Sequence, residues 1–539
     1  MDSTGLRFGV ACAGDALKAW QARAIEELRR VGARPALVVR CPAPPASAAP
    51  PLFQAYRRAA VGAERAVDLA AVLPDAPRIP LADGARAAAE LDFLLVLGAA
   101  GLDGALLRAP RHGAWTFRHD AQDASSGRPP GFWEVLTRAP VTEVVLQRLG
   151  AAPGAAAPLK RGFFKTVLTY PANVARSCDG SAAWPAQVCA DIARGAAGYL
   201  EAPPAAEPPP AEGAPTRRDV ARLLARTAEN RAAFMARRVF LQEEWCIGVV
   251  DAPIHSFLGQ PSARPKVRWL AEGGPDEFFA DPFGVADGDR LSILCEYLDM
   301  QLGRGVLVGL TLDGDRVSPA RPVADLDPGV HASYPYLFRH GGEIYCVPET
   351  RMTGKLSLYR ADPFPERWVH AATLLDDFDY SDATLVHHGG RFWLWAADVP
   401  YSGDSTSLFL YHAPDLLGPW APHPANPVKV DVGSARPGGT PFVVDGQLYR
   451  PAQDCSRTYG GRIVILRVNR LTPTEYEEEV VAAVEPDPGG PFPEGLHTLS
   501  AAGERTLVDG KRTRRVTAQD IRRKVLKIAG RMGLGRPSG

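Results

Sequence analysis

Acidic residues recur in register through the second half of this chain. Asp281 and Asp382 open two of five similar segments, whose other openings are Tyr334, Gly439 and Leu496. Glu296, Glu349, Asp398 and Asp454 close the strand-like run that follows in the first four. A single acid at such a place is most simply a solvated turn residue. Several around one axis repel one another unless they hold cations, sugar hydroxyls or each other. Paired carboxyls are also what glycosidic chemistry requires, one to protonate the leaving oxygen and one to activate water or attack. Asp281, Asp382 and Glu349 are therefore the catalytic candidates. Glu296, Tyr334, Asp398, Arg436, Arg450, Gln453, Asp454 and His497 are candidates for holding a substrate. Arg436 and Arg450 have two readings: a bidentate grip on a phosphate or carboxylate, or a structural network with Asp454 and Glu349. His497 is likewise either catalytic or a satisfied structural histidine.

The elements that must position these residues are short. After Trp245, runs rich in Val, Ile, Tyr, Phe and Trp alternate with Gly/Asp turns. Asp281–Val285 turns at Asp287-Gly288, Tyr334–Phe338 at Gly341-Gly342, Asp382–Val386 at Gly389-Gly390, and Gly439–Val443 at Asp445-Gly446. A weaker fifth unit starts at Leu496–Leu499 and reaches Asp509. The starts lie about 48 to 57 residues apart, a period that suits one four-stranded propeller blade. Five units predict an all-β five-bladed propeller whose first strands line a central channel.

Phe279–Phe283 and the blade spacing resemble the five-bladed glycoside hydrolases of the family 43 type. The resemblance implies a base Asp opening blade one, an orienting Asp opening blade three and an acid Glu opening blade four. Asp281 and Asp382 match the first two; Gly439 stands in the place of the third, so Glu349 or Asp454 would have to supply the acid. Ser333–Pro335, Val347–Thr350, Ser434–Gly439, Tyr449–Cys455 and Gly495–Thr498 together resemble the N-terminal propeller region of glucosamine inositolphosphorylceramide transferases. That resemblance implies a propeller associated with surface-glycan or glycolipid assembly, with a glycan, glycolipid or sugar-phosphate as substrate. The expected function is to bind or transfer such a sugar. The alternatives are a non-catalytic glycan-binding or scaffolding module and a sugar N-formyltransferase.

The last alternative comes from the first half. Leu6–Cys12, a helical pattern over Trp20–Val31, Pro35–Arg40 and the apolar run Leu91–Leu97 alternate as strand and helix, which predicts an α/β domain. Gly113–His119, Gly127–Leu136 and Thr142–Gln147 resemble the formyltransferase fold. His119 matches the histidine of that family's catalytic set and lines the expected pocket. Phe117 occupies the asparagine position, and Ala151–Ala157, where the aspartate is expected, contains no acid.

Composition places limits on this. Apolar residues at 46% and charged residues at 23% suit a chain that buries large cores. Formal net charge is zero, so no global field draws nucleic acid. The eight cysteines stand singly, none as Cys-x-x-Cys, and neither a metal nor another cofactor is expected. The opening residues show no secretory signal, and a cytoplasmic location is expected. From Lys511 onward ten Lys or Arg oppose one acid, Asp520. Thr517 with Asp520 is a capping-box signal, and Ile521, Val525 and Ile528 follow at helical spacing. A basic helix there would meet the anionic inner membrane face peripherally; a solvated tail is the other reading. The expected division is an α/β domain at 1–200, a Pro-rich linker and connecting helix at 201–244, a propeller at 245–515 and a basic tail at 516–539.

Overall fold

The computed structural model describes residues 5–44, 49–119, 129–206, 213–259, 262–271, 273–274, 277–299, 303–398, 406–517 and 520. The chain forms two compact units, Met1–Arg231 and Ala232–Gly539.

The first unit is α/β. Its eight-stranded sheet runs Ala205–Ala206, Ala155–Lys165, Val141–Leu149, Ala114–Phe117, Phe93–Leu97, Arg7–Ala13, Arg34–Cys41, Arg78–Pro80. The five strands from Ala114–Phe117 to Arg78–Pro80 are parallel, and the other three join antiparallel. Phe93–Leu97 is buried at all five positions, as an uninterrupted apolar strand covered on both faces must be. Helix Ala19–Arg30 buries Trp20, Ala24, Ile25 and Leu28 on one face. This order establishes a mixed α/β sheet and does not by itself identify a formyltransferase. Within the expected linker, Ala205–Ala206 supplies the outermost strand of the sheet. A long helix, Arg217–Phe240, follows.

The second unit is a five-bladed β-propeller. Blade one begins with strands Glu277–Asp287 and Arg290–Asp299, blade two with Ser333–His340 and Glu343–Glu349, and blade three with Ser381–His388 and Arg391–Ala397. Blade four runs Phe442–Val444, Gln447–Asp454, Arg462–Leu471 and Tyr476–Val484. Blade five is built from both sides of that series. Its inner strands are Leu499–Ala502 and Arg505–Arg515, and its outer strands are Leu241–Val250 and Arg268–Ala271. Leu241–Val250 pairs antiparallel with Arg505–Arg515 along ten residues, from Leu241 opposite Arg515 to Val250 opposite Thr506. The circle is thus closed by backbone hydrogen bonds between the first and last strands of the propeller.

The first three inner strands share one irregularity. Pairing breaks between Ala280 and Phe283, between Ser333 and Tyr336, and between Ser381 and Thr384. Each break is a bulge, and within each one residue takes a left-handed backbone: Asp281 at φ +51°, Tyr334 at +42° and Asp382 at +54°. Such φ values are uncommon and costly outside glycine, and they persist where the fold over-determines them. Here the bulge re-aims the opening side chain of the strand.

The basic end departs from expectation in one respect. Four of its ten cations, Lys511, Arg512, Arg514 and Arg515, are residues of strand Arg505–Arg515. Lys511 is buried, and Arg512 and Arg514 both pair with Glu244. The backbone N–H of Thr517 donates to Asp520 at 2.6 Å and that of Asp520 to the Thr517 hydroxyl at 3.3 Å, the reciprocal capping pattern. Ile521, Val525 and Ile528 lie outside the described residues. Among the described residues no helix is long and apolar enough to cross a membrane.

Candidate functional site: a carboxyl ring in the propeller

The three bulges bring Asp281, Tyr334 and Asp382 into one buried cluster. The side chain of Asp281 accepts from the Tyr334 backbone N–H at 3.2 Å and from the Thr498 hydroxyl at 3.1 Å, so it ties blade one to blades two and five. The Tyr334 hydroxyl accepts from the Gly439 N–H at 2.8 Å and lies 2.9 Å from the Thr384 hydroxyl. Asp382 accepts from Arg436 through Nε and Nη2 and from Gln453 Nε2 at 2.8 Å. Its backbone N–H donates to Glu349 at 3.0 Å. Arg436 also lies 5.1 Å from the ring centre of Tyr459. Glu296 is buried in the same cluster, and its Oε1 is 3.6 Å from His331 Nε2.

Blade five adds a further acid. Asp509 accepts the backbone N–H groups of His497 and Thr498 at 2.8 and 3.0 Å and also the N–H of Asp281 at 3.2 Å. Its Oδ2 is 2.5 Å from His497 Nδ1, while His497 Nε2 is 3.6 Å from Asp281. His497 is sandwiched by Trp245, stacked at 4.0 Å, and Tyr459, edge-on at 5.4 Å. The atoms of Asp281, His497 and Asp509 are close enough together to hold a metal ion. The contacts of the His497 ring with both acids and the backbone N–H groups that Asp509 accepts already account for the grouping.

Five carboxyls, Asp281, Glu296, Glu349, Asp382 and Asp509, thus face two cations, Arg436 and His497. Burial pushes the Asp281 carboxyl up to about 6; His497 opposes the rise, and Asp382 and Asp509 add to it. Burial, then the neighbouring Asp382, pushes Glu349 up to about 8. Burial and the other four acids hold Glu296 well above the usual range. Burial would also raise Asp509, but the His497 beside it lowers it, and that pairing in turn raises His497 against its own desolvation. The deficit of cations therefore falls on Asp281, Glu296 and Glu349.

Other sequence candidates lie apart from this ring. Arg450 is fully buried, but its bonds go to Glu478 at 3.0 and 2.7 Å and to the Ser434 carbonyl at 2.8 Å, all within blade four and the segment leading into it. Neither Asp454 nor Glu349 is its partner in these bonds. Asp454 accepts from Arg462 at 2.8 Å and the Ser456 N–H at 3.0 Å. Asp398 accepts the N–H groups of Thr406 and Ser407 at 2.8 and 2.7 Å. These two acids secure loops. Gly439 is closed to any side chain, because a Cβ there would lie 1.9 Å from the Leu499 carbonyl oxygen. Thr498, Tyr459 and Asp509 join the ring without having been marked by the sequence; Asp509 lies on the second inner strand of its blade, as Glu296 and Glu349 do on theirs, which is the signal that could have found it. A cavity of about 510 Å³ sits where the inner strands end, lined by Val285, Phe338, His340, His387 and Thr440, and touches none of the ring acids.

Residues 266–489 match the model of the family described as glucosamine inositolphosphorylceramide transferase 1, N-terminal. The propeller is similar to that family's N-terminal region. Curated relatives agree: glucosamine inositolphosphorylceramide transferase 1 of Oryza sativa subsp. japonica is 38% identical over 226 residues, and that of Arabidopsis thaliana 37% over 212. These alignments cover 40% and 38% of this chain and 30% and 27% of the relatives, so the chain spans under a third of their length. Among solved structures, an exo-β-1,3-galactanase from Clostridium thermocellum aligns at TM-score 0.33 and 14% identity, over 40% of this chain and 53% of that one. A family 117 glycoside hydrolase from Zobellia galactanivorans aligns at 0.33 and 14%, over 51% and 91%. At those scores the likeness is too loose to bear on chemistry.

In the first unit, His119 is buried. Its Nε2 lies 3.0 Å from the Ser181 hydroxyl, and its ring packs edge-on to Trp20 at 4.6 Å and stacks on Phe117 at 5.2 Å. Residues 127 and 128 of the formyltransferase-like run lie outside the described residues.

Proposed function

We propose that the protein is carbohydrate-active and engages a sugar of a surface glycan or glycolipid at the carboxyl ring. The observation that carries this reading is the buried ring itself, where Asp382 holds Arg436 through Nε and Nη2 and donates its N–H to Glu349 at 3.0 Å, and where burial raises both Asp281 and Glu349. Glu349 is raised further than Asp281, so it is the better proton donor of the two and Asp281 the better acceptor. That is the division of labour that acid–base chemistry at a glycosidic or phosphoester oxygen uses. Glu349 takes the role of acid that Gly439 cannot fill. Asp281 takes the role of base, and Arg436, anchored on Asp382, offers a cation for a phosphate or an acidic sugar. Glu296, Gln453, Tyr334 and His497 complete the surroundings of the substrate. The relatives' description makes glucosamine and inositol phosphate headgroups the first compounds to try.

The test is saturation-transfer NMR with glucosamine and with inositol 1-phosphate, followed by a transfer assay on whichever binds. Wild type should show contact with at least one, and Glu349→Gln should retain binding and lose turnover. No contact with either compound, nor with a broader glycan panel, would overturn the reading. A second reading is a glycan-binding module without catalysis, and the closed backbone at Gly439 favours it. In that case Glu349→Gln and wild type would bind alike and neither would turn over.

A further inference from the structure

The last ten residues of helix Arg217–Phe240, Arg231–Phe240, are all exposed. At about 100° per residue, this stretch divides into two faces. One carries Met235, Val239 and Phe240 with Ala232, Ala233 and Ala236 between them. The other carries Arg231, Arg237 and Arg238, with Phe234 beneath the Arg238 guanidinium at 5.9 Å. Met235, Val239 and Phe240 are 57, 47 and 58% exposed. An apolar helix face of this kind is normally covered. The ten residues contain no acid; just beyond them Glu244 is occupied by Arg512 and Arg514, and Glu243 lies 3.9 Å from Arg237.

Charge selects what covers the face. A second copy approaching about a two-fold axis would set arginine against arginine. The segment beyond residue 516 carries six Lys or Arg against Asp520, so it too repels the arginine face. That segment nevertheless starts beside the helix end, because the Val516 N–H donates to the Phe240 carbonyl at 2.7 Å. A short helix with one apolar and one arginine face fits the interface of an anionic bilayer, with its apolar side chains in the acyl boundary and its guanidiniums at the phosphates.

We propose that the helix end Ala232–Phe240 is a docking surface for an anionic phospholipid bilayer. The surface is independent of the carboxyl ring, so it stands or falls apart from the proposed function.

The full chain should co-sediment with phosphatidylserine-containing vesicles at low salt and not with pure phosphatidylcholine vesicles. Raising the salt should release it. Met235→Gln/Val239→Gln and Arg237→Gln/Arg238→Gln place good helix formers on exposed positions, so folding should survive, as melting temperature checks. Each pair should weaken binding at least about tenfold, since each basic residue near such a surface is worth roughly a factor of five. An environment-sensitive fluorophore on Met235→Cys should shift to the blue with vesicles; the native cysteines are all buried and will not compete. Absence of vesicle binding at low salt overturns the proposal. So does unchanged binding in both helix variants with loss on truncation after Val516, which would make the tail the sole anchor. A vesicle-independent dimer that Met235→Gln/Val239→Gln dissolves would equally overturn it in favour of self-association.

Discussion

Two buried clusters in the propeller use the same residue types to opposite ends. In blade four, Glu478 sits against Arg450, against Lys429 at 3.0 Å and against the Tyr476 hydroxyl at 2.5 Å. Burial alone would raise its carboxyl, but Arg450 and Lys429 pull it down to about 2. In the ring, five carboxyls share Arg436 and His497, and burial drives Asp281 and Glu349 upward instead. A buried arginine next to an acid is therefore not in itself a sign of function. What separates the clusters is the balance: Glu478 has two cations to itself, Arg450 from its own blade and Lys429 from the blade before, and the ring has too few. A surplus of buried like charge survives where something outside the fold, such as a ligand, repays it.

The comparison breaks most visibly at Arg450. Arg450→Met removes the bidentate partner of a buried carboxylate and should cost about 3 kcal/mol of stability, read as a lower denaturation midpoint. Ligand contact per folded molecule should not change. Loss of ligand contact in a well-folded Arg450→Met protein would place Arg450 in the site after all.

The pH dependence should run in opposite directions for the two clusters. Glu478 is depressed, so its contribution to stability is present above about 4.5 and lost as pH falls towards about 2. Asp281 and Glu349 are raised, so theirs is present below about 4 and lost as pH rises through about 6 and about 8. Thermal melts from pH 2 to 9 should show Glu349→Gln more stable than wild type at pH 8 and level with it at pH 4. Glu478→Gln should flatten the acid limb instead. A Glu349→Gln protein less stable than wild type at pH 8 would mean that the glutamate is an ordinary structural acid. If the ring catalyses a reaction, its rate should be bell-shaped in pH, with limbs near 6 and 8.

Asp281→Asn is nearly isosteric and sharpens the comparison further. It should abolish turnover or glycan binding, leave the melting temperature level with wild type at pH 4, and raise it somewhat above pH 6. A large loss of stability with unaltered binding would make Asp281 a residue of the blade scaffold. The smallest effect is expected in the first unit. His119 is enclosed by Trp20, Phe117 and Ser181, so formyl-tetrahydrofolate with amino-sugar nucleotides should give no product. Turnover that vanishes in His119→Ala would reverse that expectation.

The number of blades was legible because strand openings and Gly turns recur at a steady period. The α/β class was legible from an apolar strand buried on both faces. Blade five was the faint unit for a physical reason: half of it, Leu241–Val250 and Arg268–Ala271, lies before blade one in the chain, so no local repeat could reveal it. In the site, the openings at Asp281 and Asp382 were legible by position. The division among the closing acids was not. Glu296 and Glu349 turn into the ring while Asp398 and Asp454 secure loops, and only the partners, Thr406 and Ser407 for the one and Arg462 for the other, distinguish them. Left-handed backbone at Asp281, Tyr334 and Asp382 is likewise a product of tertiary pairing that no local propensity announces.

The shared construction of blade five has a consequence in time. During synthesis Leu241–Val250 emerges before any other strand of the propeller and must wait for Arg505–Arg515, which emerges after every other blade. The acid Asp509 and the base His497 arrive with that final stretch. A partly made propeller therefore holds an incomplete ring, and the repulsion among Asp281, Glu296, Glu349 and Asp382 is met without the histidine that helps to relieve it. Completion of the carboxyl ring and closure of the circle therefore depend on the same final stretch of chain.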